Sequence, residues 1–282
     1  EMPLATLVEV LEDAQKNNYA VPGFNFHLYE DLTAIVEAAR EVRSPVILMA
    51  AGTCMKHWGP TLAAALIREV ANKVDIPVVA HLDHASSMDL IFKSMHAGFT
   101  SVMYDGSMLP VEENIANSKI VVEVAKAFGV SVEAELGRVA KGEEGEAARE
   151  ILTDPSDVVM FCERTGVDAL AVAVGTVHGM QKQEAKIHLD LVDTLSRVAP
   201  VPLVLHGSSG VSDEDLGYIA KTAFSKINIG TRIKTVFTES IRETLITRPD
   251  LKDQLQLLQL STPKIKETVK EKIRLLGSEN RC

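Results

Sequence analysis

The sequence lacks the features that mark secreted, membrane-spanning and disulfide-stabilised proteins. Its three cysteines are far apart and show no CxxC spacing, so neither a disulfide framework nor a thiolate metal site is predicted. No apolar run approaches the roughly 20 residues that a membrane-spanning helix needs. The first residues lack the basic and apolar regions of a secretory signal. We therefore expect a protein of the reducing cytoplasm, with no membrane partner.

Positive charge is also scarce. Lysine and arginine together number 29 against 39 aspartates and glutamates, and the formal net charge is −10. No basic stripe is available to replace the counterions of a phosphate backbone, so we expect no nucleic-acid partner. Hydrophobic residues make up 46% of the sequence, enough for one large core, and residues 2–282 are interpreted as a single domain.

Eight short apolar runs recur along the chain, each followed by a longer stretch with helical periodicity. The runs lie at about 19–24, 45–51, 77–82, 99–104, 130–134, 167–173, 201–206 and 225–229. Strands that alternate with helices predict an α/β protein, a (β/α)8 TIM barrel, with an open doubly wound sheet as the alternative. The amphipathic segments 6–18 and 263–276 are predicted to be extra helices, the first at the bottom of the barrel and the second outside it.

Three histidines lie at or just after the ends of separate apolar runs. His84 ends the segment 81–84, His178 follows the run 169–174, and His206 follows the run 201–205. The C-terminal ends of parallel barrel strands share one face, where active sites are built. Neutral imidazole is a common zinc ligand, and Asp83 beside a metal-bound substrate is a natural proton acceptor. For the segment 81–84 taken alone, a hydrogen-bonded cluster without metal is the alternative.

Other polar residues end the neighbouring runs. Glu133 and Glu135 alternate onto the same side of the fifth run, and a cation, either a metal or Arg138, would relieve their repulsion. Glu135 is therefore a candidate metal ligand or a partner of one, with an ordinary salt bridge as an equal alternative. Asn25 ends the first run and Thr53 lies in the small-residue loop after the second, so both are candidate substrate contacts, with a simple turn cap as the alternative for Asn25.

Glycines and hydroxyl groups cluster after the last runs. The residues concerned are Gly179, Lys182, Gly207, Ser209, Gly230 and Thr231. Backbone N–H groups at helix N-termini bind anions, so this cluster predicts a phosphate site, with plain turn chemistry as the alternative. The polar segment 138–146 has no hydrophobic periodicity and is interpreted as a lid whose acids deliver a proton when it closes.

In this order, the motifs resemble those of the class II, zinc-dependent ketose-bisphosphate aldolases, in the tagatose- and fructose-bisphosphate branch. The resemblance covers nearly the whole chain and is carried by the segments 81–84, 105–107, 131–137, 166–173, 178–179, 204–210 and 226–229. It implies a lyase that reversibly cleaves a ketose 1-phosphate or 1,6-bisphosphate into dihydroxyacetone phosphate and an aldehyde, through a zinc-stabilised enediolate. It also implies a homodimer or homotetramer, and a sodium or potassium ion near the phosphate.

The resemblance gives the candidate residues their roles. The matches to the zinc ligands are His84, His178 and His206. Glu135 matches a glutamate that ligates or neighbours the metal, and Asp83 matches the acid that works on the C4 hydroxyl. Asn228 matches the amide that contacts the enediolate, and Glu143 the lid glutamate that moves the C3 proton, with Glu144 as the alternative. The matches to the phosphate site are Gly179, Lys182, Gly207, Ser209, Gly230 and Thr231.

The chain departs from the family pattern where substrates are distinguished. Residues 140–141 replace a usual Gly-Gly, Met108 replaces a common His, and Gly230 stands where fructose-type members tend to carry Asp and tagatose-type members Ala. The Asp-Pro-Arg stretch that holds a distal phosphate in the family is missing from residues 248–262. The candidate substitutes are Arg242, Arg248 and Lys252. We therefore expect the aldehyde half to differ from glyceraldehyde 3-phosphate, as an unphosphorylated sugar aldehyde or acid.

Two other functions remain open. The first is a catalytically silent barrel subunit that supports an aldolase partner, against which the presence of Asp83 and all three histidines argues. The second is a zinc hydrolase on the same fold, in which Asp83 would activate water. Bound zinc and aldol cleavage by the isolated chain would exclude both.

Overall fold

A closed barrel of eight parallel strands forms the centre of the molecule in the computed structural model, which describes residues 4–141 and 150–282. The barrel strands are β1 (Val21–Asn25), β2 (Val46–Ala50), β3 (Val78–Ala85), β4 (Ser101–Tyr104), β5 (Ser131–Leu136), β7 (Ala169–Val172), β9 (Leu203–Leu205) and β10 (Phe224–Ile229). The short strands β6 (Ala140–Lys141) and β8 (Val177–His178) pair only with each other. Because β1 pairs with β10 as well as β2, the sheet closes. The barrel prediction is confirmed, and the open sheet is wrong.

Helices follow the barrel strands and form the outer layer. In the described ranges they are α1 (Leu7–Asn17), α2 (Tyr29–Glu41), α3 (Gly52–Ala71), α4 (Met88–Ala97), α5 (Val111–Phe128), α6 (Pro155–Thr165), α7 (Leu189–Val198), α8 (Asp213–Ile219), α9 (Thr231–Thr247), α10 (Gln254–Gln259) and α11 (Thr262–Leu275). Their starts follow the capping residues; for example, Asp154 caps α6, which has Pro155 in its first turn. No helix in these ranges has the length and apolarity needed to cross a membrane.

The two ends of the barrel have different surroundings. At the N-terminal end, α1 packs its apolar face, including Leu7 and Leu11, against inward-facing strand residues such as Val79 and Ala169. This arrangement agrees with the helix predicted for residues 6–18. On the outside, α11 packs against α2 and α9. The C-terminal ends of the strands are left for the loops, and the candidate site residues lie there.

Candidate active site

The three histidines converge at the C-terminal end of the barrel. His84 comes from β3, His178 from β8, and His206 directly follows β9. Their ring centroids are 5.0 Å apart for His84 and His178, 4.5 Å for His84 and His206, and 6.0 Å for His178 and His206. One nitrogen from each ring lies within 4.8 Å of the other two. Three imidazoles at such distances fit Zn²⁺, which in catalytic sites takes three protein ligands and keeps an open position.

An irregularity at the end of β3 sets the direction of His84. Strict alternation would send His84 and Asp83 to opposite sides of the strand. The β3–β4 register shifts between Leu82 and Ala85, and His84 has a left-handed backbone with φ of 47°. Positive φ is uncommon for residues other than glycine and is often kept at functional sites. As a result, both Asp83 and His84 line the same pocket.

Carboxylates hold two of the histidine rings from behind. Nδ1 of His84 donates to Oδ2 of Asp105 at 2.8 Å, and Nε2 of His206 donates to Oε1 of Glu133 at 2.9 Å. The second nitrogen of His206, Nδ1, lies 3.1 Å from Oε2 of Glu135. Metal-binding histidines commonly donate their other nitrogen to a carboxylate, which fixes the tautomer and the ring orientation. Nε2 of His84 is therefore available to a metal, whereas Nδ1 of His206, which faces Glu135, would have to give up its proton before it could bind one.

The electrostatic field at His206 favours a cation. Burial works to lower the pKa of His206, but its hydrogen bonds to Glu133 and Glu135 outweigh burial and raise the pKa to about 10. Glu135, His84 and Asp105 also bring oxygen and nitrogen atoms within 4.8 Å of one another. The predicted place of Glu135 beside the metal ligands therefore agrees with the geometry. A divalent ion on these rings would meet the same two carboxylates.

A buried lysine balances Glu133, the other acid of β5. Nζ of Lys226 donates to Oε2 of Glu133 at 2.9 Å and to Oδ1 of Asn228 at 2.7 Å, and all three residues are buried. Burial works to raise the pKa of Glu133, but Lys226 and His206 outweigh it and hold the pKa well below its usual range. The cation that relieves the Glu133 charge is thus Lys226. Arg138, the protein cation considered from the sequence, donates instead to the carbonyl of Ser107.

Two amides hold the Asp83 carboxylate. Nδ2 of Asn25 donates to Oδ2 at 3.1 Å, and Nδ2 of Asn228 lies 3.5 Å from Oδ1. Burial works to raise the pKa of Asp83, but the positive charges of His84, His206 and Lys226 outweigh it and lower the pKa to about 2. Asp83 is therefore ionised at neutral pH, and it lines the pocket.

The pocket around these groups has a volume of about 830 Å³. The predicted substrate contacts that line it are Asn25, Thr53, Gly179, Gly207, Ser209, Gly230 and Thr231. Lys182 is exposed and lies outside this lining, and Glu143 falls in residues 142–149, outside the described residues. The sequence analysis did not identify His27 and Lys234, which also line the pocket. His27 lies two residues beyond Asn25, so its position after a strand end could have suggested it, whereas Lys234 lies inside α9, where no strand end marks it.

Three observations make the β9 and β10 loops suitable for an anion. The hydroxyl oxygen of Ser209 is buried and, within the described residues, has no hydrogen-bond partner. Gly207 has φ of 68°, and a Cβ there would lie 2.9 Å from the carbonyl carbon of Val177, so only glycine fits. The N-terminus of α9, at Thr231, opens onto the same pocket and offers backbone N–H groups and a favourable dipole.

Comparison with known proteins gives consistent matches over the whole chain. The model of the family described as fructose-bisphosphate aldolase class-II matches residues 5–281. A probable fructose-bisphosphate aldolase from Bacillus subtilis (strain 168) is 40% identical over 288 residues, with all of both chains covered. The crystal structure of the YdjI aldolase from Escherichia coli K12 is similar, with a TM-score of 0.87, 33% identity and 98% of each chain covered.

A more distant structure shares the fold. It is that of a putative fructose-1,6-biphosphate aldolase from Coccidioides immitis, with a TM-score of 0.86 and 23% identity. The match covers 97% of this chain and 96% of that one. At this identity the similarity supports the barrel alone.

Proposed function

We propose a specific reaction for this chain, which belongs to the class II fructose-bisphosphate aldolase family and is therefore an aldolase, a carbon–carbon lyase. The reaction is the reversible cleavage of a ketose 1-phosphate or 1,6-bisphosphate, of tagatose or fructose type, into dihydroxyacetone phosphate and an aldehyde. The observation that carries the proposal is the convergence of three histidine nitrogens within 4.8 Å beside an ionised, amide-bound Asp83.

The proposed zinc ligands are His84, His178 and His206, with Glu135 beside them. The donor set supports this assignment, because two of the rings are already oriented by Asp105 and Glu133. When bound, the zinc ion supplies the positive charge that stabilises the enediolate left by cleavage. Oε2 of Glu135 lies 3.1 Å from Nδ1 of His206, so Glu135 would be available as a further oxygen ligand.

Asp83 is proposed to take the proton of the C4 hydroxyl in cleavage and to return it in condensation. Its low pKa keeps the carboxylate ionised, and hydrogen bonds from Asn25 and Asn228 fix its direction. Asn228 is also proposed to contact the enediolate. Its amide orientation is set by Lys226, because Nζ of Lys226 is a donor only and must face the amide oxygen.

The phosphate of dihydroxyacetone phosphate is proposed to bind at the β9 and β10 loops. Its site consists of Gly179, Lys182, Gly207, Ser209, Gly230 and Thr231, with a sodium or potassium ion nearby. The buried hydroxyl of Ser209 and the N-terminus of α9 support this position. Lys182 is the member with the least structural support, because its side chain is exposed outside the pocket lining. The proposal that Glu143 moves the C3 proton rests on the resemblance alone.

The aldehyde half is proposed to lack the distal phosphate of glyceraldehyde 3-phosphate. Arg248 and Lys252 line a separate cavity formed by residues 247–253 and Gln256, and neither they nor Arg242 contribute to the described lining of the active-site pocket. Those three side chains are the candidates that the sequence offered for the distal phosphate. An unphosphorylated sugar aldehyde or acid is therefore the expected product beside dihydroxyacetone phosphate.

The test is the release of dihydroxyacetone phosphate by the purified chain from a panel of ketose 1-phosphates and 1,6-bisphosphates, with and without a chelator. We expect chelator-sensitive release, fastest from a substrate with an unphosphorylated aldehyde half. Cleavage of fructose 1,6-bisphosphate or tagatose 1,6-bisphosphate at rates typical of the family would refute the substrate proposal. No release from any substrate, with zinc bound, would favour a silent subunit.

Assembly and location complete the proposal. We expect a homodimer or homotetramer in the cytoplasm, with residues 2–282 of each chain folding as one domain. Light scattering of the purified protein measures the oligomeric state. A single thermal transition whose calorimetric and van't Hoff enthalpies agree would support folding as one domain.

A further inference from the structure

Gly230 leaves a space that the side chain of Asn25 occupies. A Cβ built on Gly230 would lie 2.6 Å from Oδ1 of Asn25 and 3.3 Å from its Cγ. Atoms at 2.6 Å overlap, so any side chain at position 230 requires Asn25 to move. Gly230 has a negative φ of −121°, outside the left-handed region, so the conflict with Asn25 is the steric constraint that the structure shows at this position.

The position of Asn25 matters because its amide reaches the catalytic acid. Nδ2 of Asn25 lies 3.1 Å from Oδ2 of Asp83, whereas Nδ2 of Asn228 lies 3.5 Å from Oδ1. The Asn25 contact is therefore the shorter of the two that hold the carboxylate. Its amide oxygen is the atom that faces Gly230, so a methyl group at position 230 pushes on the same amide whose nitrogen binds Asp83.

We propose that Gly230 is a positioning residue that lets Asn25 hold the Asp83 carboxylate in its reactive direction, a role that rests on the function proposed above. Gly230 thus acts through Asn25 in addition to contributing its backbone to the phosphate site. A side chain at position 230, including the Ala or Asp expected there in related enzymes, forces this chain into a different Asn25 position. Position 230 therefore sets how the acid meets the C4 hydroxyl of the substrate.

The fold should tolerate a methyl group at position 230. The overlapping atom is the end of an Asn side chain at the edge of an open pocket, and it can rotate away without moving backbone. The rotation then weakens or breaks the hydrogen bond from Asn25 to Asp83. A hydrogen bond to a charged group is typically worth about a tenfold or greater change in an equilibrium or a rate. We expect Gly230→Ala to lower kcat by about tenfold or more.

A double-mutant cycle tests the route of the effect. Retro-aldol kcat is measured for wild type, Gly230→Ala, Asn25→Ala and the double variant. If Gly230 acts through Asn25, Gly230→Ala lowers kcat in the wild-type background and adds no further loss in the Asn25→Ala background. An equal loss in both backgrounds, or no loss in either, overturns the proposal. Gly217→Ala in α8, where the new Cβ would make only an ordinary contact of 3.7 Å with Leu275, is the control for a glycine-to-alanine change.

Two further measurements separate this role from damage to the phosphate site or to the fold. Inhibition by inorganic phosphate measures the effect of Gly230→Ala on the phosphate site separately, and a loss of phosphate affinity as large as the loss of kcat would transfer the effect to that site and overturn the proposal. Crystal structures of both proteins should show Asn25 displaced from Asp83 in the variant. If wild type releases no dihydroxyacetone phosphate, the proposed function fails. The displacement of Asn25 is tested separately, and it is overturned if Asn25 has not moved in the crystal structure of the variant.

Discussion

Replacement of the buried Lys226 by methionine should destabilise the protein strongly. Lys226 is fully buried, and its Nζ lies 2.9 Å from Oε2 of Glu133 and 2.7 Å from Oδ1 of Asn228. Methionine is similar in length but donates no hydrogen bond, so Glu133 would lose its buried cation. Removing one partner of a buried ion pair costs about 3–5 kcal/mol. We expect a loss of that size in the free energy of unfolding.

Urea denaturation of the zinc-loaded protein, followed by far-ultraviolet circular dichroism, measures this loss. Lys221→Met is the matched control, because Lys221 is exposed, and its effect should stay within about 0.5 kcal/mol. The double variant Lys226→Met/Glu133→Gln removes both charges of the pair and should be more stable than Lys226→Met alone. The prediction would be contradicted if Lys226→Met lowered the free energy of unfolding no more than Lys221→Met does. It would also be contradicted if the double variant lost the full sum of the two single-variant losses.

Two other predictions concern the metal site and the thiols. Asp105→Asn should weaken zinc binding by about 10- to 100-fold, because Asp105 orients the His84 ring. Zinc titration of the apoprotein measures this affinity, and an unchanged affinity would exclude that role for Asp105. Burial raises the pKa of Cys54 and of Cys162 to about 12, so both stay protonated near pH 8, and a thiol reagent should label native protein once, at the exposed Cys282. Labelling of all three thiols at equal rates would contradict this.

The barrel could be predicted, and His178 and His206 could be singled out as candidate ligands, because both depend on local pattern. Apolar runs define the strands, and the strand ends carry His178 and His206, so one topology brings these residues to one face. His84 is different, since strict alternation predicts it on the side opposite Asp83. The register shift in β3 that turns it into the pocket arises from tertiary pairing with β4 and has no sign in the sequence of β3.

Long-range electrostatic pairing also escaped prediction. The sequence places Glu133 and Glu135 on one side of β5 but offers several cations for them. Lys226, which is 93 positions away from Glu133, reaches it because the closed barrel brings β10 and β5, three strands apart in the sheet, within reach of each other's side chains. Such a pairing depends on barrel closure. The role of Asp105 is similar, because only the spatial neighbourhood of β3 and β4 identifies His84 as its partner.

One zinc ion held by His84, His178 and His206 is proposed to support aldol cleavage. The most direct measurement is the rate of dihydroxyacetone phosphate release as Zn²⁺ is added back to chelator-treated protein, in wild type and in His178→Ala. We predict that wild-type activity rises until about one equivalent of zinc per chain and then levels off, as expected for one site of three histidines, while His178→Ala recovers almost none. Full activity after chelation, or equal recovery by His178→Ala, would contradict the claim.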